Sequence, residues 1–174
     1  MLKKFASSFL AAVLLLTGCS STQKKADTDD KPAETAASSK SSEADKETQA
    51  DKDAAEIVKE LDLTDSMTAV RDRVIGGMFF AGDHACYTDG AAYLSQETGN
   101  SNTVAVFTTK NVKKTTDALQ TYIKNQAEDT ASYFPEQVTK IQNAVVESNK
   151  KKVVFIVYDD ANAAKKAADQ LLKK

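Results

Sequence analysis

Val153-Val154-Phe155-Ile156-Val157-Tyr158 is an apolar run with no polar break. It is short for a helix and rich in β-branched side chains, so it reads as a strand. Apolar side chains on both faces need cover on both, which makes it a central strand. Upstream, Ala144-Val145-Val146 and a polar turn at Ser148-Asn149-Lys150 supply the other arm of a hairpin. A second β-branched run, Thr103-Val104-Ala105-Val106-Phe107-Thr108-Thr109, follows the turn cluster Thr98-Gly99-Asn100-Ser101-Asn102. With a strand around Ala91–Ser95 it makes an earlier hairpin.

The helices are read outward from these strands. Asn111 is an N-cap residue, and beyond it Val112, Thr116, Leu119, Ile123 and Ala127 follow a helical period that fades near Ser132. Pro135 suits the first turn of a short helix with Val138 and Ile141 on its inner side. Asp159 or Asp160 caps a final helix with Ala164, Ala168, Leu171 and Leu172 inward. Near the start of the domain, Ala54, Ile57, Val58 and Leu61 form one stripe over Asp53–Leu63. Met67, Val70, Val74 and Met78 repeat that spacing, so a second helix is expected from about Asp65, ended by Gly76-Gly77. The sum is a single small α+β domain: an antiparallel sheet of about four strands with helices on one or both faces.

The N-terminus has a different character. Lys3 and Lys4 precede the apolar run Phe9 to Leu16, far shorter than the ~20 residues that span a bilayer. That is the pattern of a signal peptide. Leu16-Thr17-Gly18-Cys19 resembles a bacterial lipobox. The resemblance implies diacylglyceryl transfer to the Cys19 sulfur, cleavage between Gly18 and Cys19, and palmitate-type acyl chains as anchor. A short buried helix ending in cysteine is the competing reading, but position, charge and cleavage box agree on export. From Ser20 to Ala50 there is no Val, Ile, Leu, Met or aromatic residue. Such a segment buries too little apolar area to offset its ordering entropy. As a flexible tether it reaches roughly 30 Å, from about 5–6 Å × √n. The expected organisation is signal peptide over 1–18, lipidated cysteine and tether over 19–51, and folded domain over 52–174.

Charge and cysteine usage narrow the functions. Residues 52–174 carry 16 Lys+Arg against 17 Asp+Glu, which leaves no basic footprint for nucleic acid. With Cys19 taken by lipid, Cys86 stands alone and no intramolecular disulfide forms. Asp83-His84-Ala85-Cys86 is the one cluster with catalytic residue types. In an extended chain His84 and Cys86 share a face, as a nucleophilic pair requires, while Asp83 points to the opposite face and is poorly placed to orient the imidazole. A buried cysteine in an ordinary loop is the simpler reading, and a disulfide-linked dimer through the free thiol is open to test. Tyr133-Phe134-Pro135-Glu136 is either an exposed contact site or, more ordinarily, a hydrophobic latch between two helices. Asp159-Asp160 resembles half of a calcium site, though a helix cap explains it more simply. Lys150-Lys151-Lys152 reads as a solvated turn that guards the adjacent apolar strand. Nucleophile-elbow, phosphate-loop and zinc-protease motifs are absent from the sequence, and no metal or cofactor is expected.

Asn102-Thr103-Val104-Ala105-Val106-Phe107, a long polar helix with Gln126, Ser132-Tyr133-Phe134-Pro135-Glu136-Gln137, Ile141-Gln142-Asn143-Ala144-Val145-Val146 and the final Val-rich strand before Asp159-Asp160-Ala161 together resemble an uncharacterised family. Its members are small lipoprotein domains found mainly in Gram-positive bacteria. The likeness runs over roughly residues 53–172. It departs at the last hairpin, where Asn149-Lys150-Lys151-Lys152 replaces the glycine and aromatic frequent in the family, which puts the turn type in question. The resemblance implies no activity. The expectation is a non-enzymatic binding or interaction module, lipid-anchored through Cys19 at the extracytoplasmic face of the cell membrane. Its partner would be an envelope protein or cell-wall component, with Tyr133, Phe134 and Pro135 as candidate contacts. A small extracytoplasmic enzyme using His84 and Cys86, and a regulatory accessory subunit of a membrane complex, are the alternatives.

Overall fold

The computed structural model describes residues 47–70 and 72–174. The lipobox residues Gly18 and Cys19, the signal peptide and most of the tether segment lie outside the described residues.

The domain opens with α1 (Gln49–Glu60), capped by Thr48, whose hydroxyl accepts from the Asp51 amide while the Asp51 carboxylate accepts from the Thr48 amide. That reciprocal box satisfies two amides that a helix start leaves orphaned. It also moves the start of the helix upstream of Asp53, and Ala50, grouped by composition with the tether, is buried. Ala54, Ile57, Val58 and Leu61 form the buried stripe as expected.

The second expected helix divides in two. Met67–Ala69 is a strand, β1, and α2 follows over Asp72–Phe80. The Met67–Val70 spacing suits a helix, but the outer edge of the next strand carries open backbone groups, and pairing with it satisfies them. Gly76-Gly77 does not end α2. Gly76 lies inside the helix, where its missing side chain leaves room for its neighbours: a Cβ there would fall 2.8 Å from His84 Cε1 and 3.0 Å from the Tyr87 hydroxyl. The chain reverses instead at Ala81 and Gly82, both at positive φ.

Next come β2 (Asp89–Ser95), β3 (Thr103–Thr108), α3 (Val112–Thr130), a 3₁₀ turn at Pro135–Gln137 running into α4 (Val138–Gln142), β4 (Val145–Ser148), β5 (Lys152–Val157) and α5 (Ala161–Leu172). Asn111 caps α3 by accepting from the Lys114 amide, and Asp160 caps α5 by accepting from the Asn162 and Ala163 amides. In α3 the buried threonine is Thr115, not Thr116.

The strands form one antiparallel sheet in the order β1-β2-β3-β5-β4, five strands where about four were expected. β5 is flanked on both sides, as its apolar faces require. Alternate residues feed two cores. Val104, Val106, Val154 and Ile156 meet α1 and α5 on one face. Ala105, Phe107, Val153 and Phe155 meet α2, α3 and α4 on the other. On the second face Phe79 sits 5.5 Å from Phe107, 5.9 Å from Phe155 and 4.9 Å from Tyr122 between ring centroids. Each such large side chain contributes about 1.5–3 kcal/mol by leaving water.

The last hairpin closes without glycine. Asn149 Oδ1 accepts from the Lys151 and Lys152 amides at 2.9 Å each, so a side chain does the work of a left-handed residue. Lys150 and Lys151 are exposed, but Lys152 is not merely solvated: its ammonium meets the buried Asp53 carboxylate of α1.

Candidate functional site

The expected catalytic cluster takes a shape that separates its members. His84–Cys86 is a 3₁₀ turn rather than an extended segment, so the two side chains leave in different directions. Cys86 is buried and His84 exposed, and no hydrogen bond joins them. Asp83 lies beside the Cys86 thiol, which donates to its carboxylate, and that contact holds the proton on sulfur instead of removing it. The same carboxylate accepts from the Ala85 amide at 3.0 Å and pairs with Lys114 at 2.8 Å, and these contacts, Lys114 foremost, hold its pKa below the ordinary carboxylate value. Burial, and then the nearby Asp83 charge, push the Cys86 thiol above its ordinary pKa. A thiol held protonated is a poor nucleophile. Around it the Cys86 carbonyl accepts from the fully buried Thr115 hydroxyl, which also lies 2.9 Å from Thr109 Oγ1. The cluster is a polar clasp tying this turn to α3.

At the opposite end of the sheet, residues 96–102 join β2 to β3. Gly99 has φ +82°, and Phe134 covers it so closely that a Cβ there would fall 2.7 Å from the ring. The hydrophobic latch expected at Phe134 therefore exists, but it grips a strand turn rather than a second helix. Pro135 starts the 3₁₀ turn behind it. Tyr133 stays outside the latch, 80% exposed.

The turn is further braced by Lys140. Its side chain, only 9% exposed, extends from α4 and donates to Asn100 Oδ1 and Asn102 Oδ1 at 3.0 Å each, with the Asp159 carboxylate at 3.2 Å. An ammonium carries three donors, so this one is satisfied without water. Asp159 thus serves Lys140, and Asp160 serves the helix cap. Gln137 adds a second link, accepting from the Ser101 amide and hydroxyl at 3.2 and 2.8 Å.

Two hollows flank this braced turn. One, of about 400 Å³, is bordered by Glu97, Gly99, Phe134, Glu136, Lys140 and Asp159. The other, of about 330 Å³, opens on the face covered by α2, α3 and α4. Met78, Leu94, Ile141 and Val157 give it an apolar floor, and Asn102, Tyr122 and Gln126 border it. None of its lining side chains is charged. Burial raises the Tyr122 hydroxyl pKa, which keeps it neutral. The sequence marks Asn100 and Asn102 only as turn residues and gives Lys140 no signal, because their meeting depends on α4 folding back over the β2–β3 turn.

Among the described residues no three His, Cys, Asp or Glu side chains converge as metal ligands, and no helix is long and apolar enough to cross a membrane. The search of curated proteins finds no match, and neither does the search of solved structures. A family described as a domain of unknown function, DUF4358, matches residues 59–158, which is more than half of the 174-residue chain. The match runs from the end of α1 through β5 and takes in both ends of the sheet described above, and the chain belongs to that family.

Proposed function

We propose that this chain is an exported lipoprotein, held by acyl chains on Cys19 at the extracytoplasmic face of the cell membrane, and that its domain is a binding module for a component of the cell envelope. The lipobox-like Leu16-Thr17-Gly18-Cys19 after a short apolar run supports the anchor, and at least two acyl chains make such an anchor stable. The observation that carries the binding role is Tyr133. An aromatic side chain 80% exposed has no part in the core, yet its neighbour Phe134 is clamped on Gly99. The ring is therefore offered to solvent beside a braced turn, so that contact has to order the ring itself and little of the backbone beneath it.

In vivo crosslinking tests the reading. A photoreactive residue at Tyr133 in the lipidated protein should capture an envelope component, and Cys19→Ala should abolish the capture by releasing the protein from the membrane. Unchanged membrane retention of Cys19→Ala would remove the anchor. Absence of any adduct from position 133 in the anchored protein would remove the binding surface.

A further inference from the structure

The hollow of about 330 Å³ beside the β2–β3 turn holds polar groups that the protein itself does not satisfy. Asn102 is only 6% exposed. Its Oδ1 accepts from Lys140, which turns its Nδ2 donor away from the ammonium, and that nitrogen has no partner in the protein. No buried side-chain polar atom among the described residues lacks a partner, so Nδ2 reaches the space of the hollow that Asn102 lines. The Tyr122 hydroxyl also borders the hollow and has no protein partner. Gln126 gives its amide nitrogen to Thr130 at 3.3 Å and keeps its carbonyl oxygen free. The residues that line one hollow therefore include an amide with an unused N–H donor, an amide with an unused carbonyl acceptor and a tyrosine, beside a floor of Met78, Leu94, Ile141 and Val157.

We infer that this hollow binds the acetamido group of a neutral N-acetylated sugar, a reading that rests on the proposed envelope-binding role and names its ligand. An acetamido group has one carbonyl acceptor, one N–H donor and one methyl, which correspond to Asn102 Nδ2, Gln126 Oε1 and the apolar floor. Tyr122, whose ring packs on Phe79 and Phe155, lines the same hollow, and its hydroxyl is a partner for a sugar hydroxyl. The volume is at the small end of ligand pockets, about 300–1,000 Å³, and suits a monosaccharide unit. Charge argues against a short peptide with free termini. The lining is uncharged, and Lys140, which donates to the lining residues Asn100 and Asn102, is already engaged by them and by Asp159.

The test is methyl NMR of the full-length lipidated protein in nanodiscs, titrated with N-acetylglucosamine, glucose and N-acetylalanine methylamide. N-acetylglucosamine should shift the Met78 and Ile141 methyl signals saturably, and glucose should not. Gln126→Ala and Tyr122→Phe, both at partly exposed positions, should each weaken binding about three- to tenfold, the worth of one hydrogen bond. They keep the test open if Asn102→Ala fails to fold. No saturable shift, an equal response to glucose, or a stronger response to the peptide analogue would overturn the assignment. A sugar that fails to bind while Tyr133 still crosslinks to a partner overturns the ligand alone. Loss of both removes the binding role as well.

Discussion

The Lys140 ammonium donates to Asn102 Oδ1 at 3.0 Å, and this bond decides which way the buried Asn102 amide faces. It joins α4 to the β2–β3 turn across residues that lie far apart in the chain. It also leaves Nδ2 for the hollow beside it.

Lys140→Met keeps the aliphatic stem and removes the donors. The Asn100 and Asn102 Oδ1 acceptors then lose their donor in a site with little water, at a cost of about 1–3 kcal/mol. Asp159→Asn is expected to cost within about 0.5 kcal/mol, because that carboxylate is 73% exposed and screened. Urea denaturation of the two variants checks the contrast. Equal losses would mean that the bonds to Asn100 and Asn102 do not brace the turn.

Thr115 and Thr116 are adjacent and chemically identical, yet only Thr115 is fully buried, with its hydroxyl on the Cys86 carbonyl. Thr115→Val should cost about 1–3 kcal/mol by orphaning buried polar partners. Thr116, half-buried and bonded to Val112 of its own helix at 2.9 Å, should tolerate valine within about 0.5 kcal/mol. Thermal or urea unfolding distinguishes them.

The Cys86 thiol should react slowly with iodoacetamide in the native protein and at an ordinary rate in urea, since burial and then Asp83 raise its pKa. A pKa raised on folding gives a contribution to stability that is fully present below the unfolded thiol value, about 8.5, and lost as pH rises through the folded value. Between those two values the denaturation midpoint should fall more steeply with pH for the native protein than for Cys86→Ala. Parallel profiles would sink the idea. Burial also makes a disulfide-linked dimer through Cys86 dependent on local opening.

Gly99→Ala meets two obstacles: a left-handed backbone at φ +82° and the Phe134 ring 2.7 Å from the new methyl. A loss of about 1–3 kcal/mol is expected. Adding Phe134→Ala removes the steric part and leaves the backbone part, so the double variant should be more stable than the sum of the single changes. A double-mutant cycle by urea denaturation reads the difference.

Local patterning carried most of the architecture. The unbroken Val153–Tyr158 run places a strand in the interior of the sheet, Asn111 and the Asp159-Asp160 pair announce their helices, and Ala54, Ile57, Val58 and Leu61 mark a buried stripe, because caps and periodicity are properties of neighbouring residues. The places where that reading failed share one cause. Met67–Ala69 has a helical spacing and became an edge strand because β2 presented an unpaired edge. Gly76-Gly77 looks like a helix stop and lies inside α2, where Gly76 serves a packing need instead, the close approach of His84 and Tyr87.

The candidate site divides the same way. Tyr133, Phe134 and Pro135 could be picked out from composition alone, but whether an aromatic is latched or offered depends on what lies opposite. Only the fold put Gly99 beneath Phe134 and left Tyr133 in water. The sequence by itself determined most of the element types, an interior strand and the α+β class, since these follow from hydrogen bonding and burial along the chain. The tertiary structure alone decided the fifth strand, the separation of His84 from Cys86 and the meeting of Lys140 with Asn102. Each of these turns on contacts between segments that no local pattern encodes.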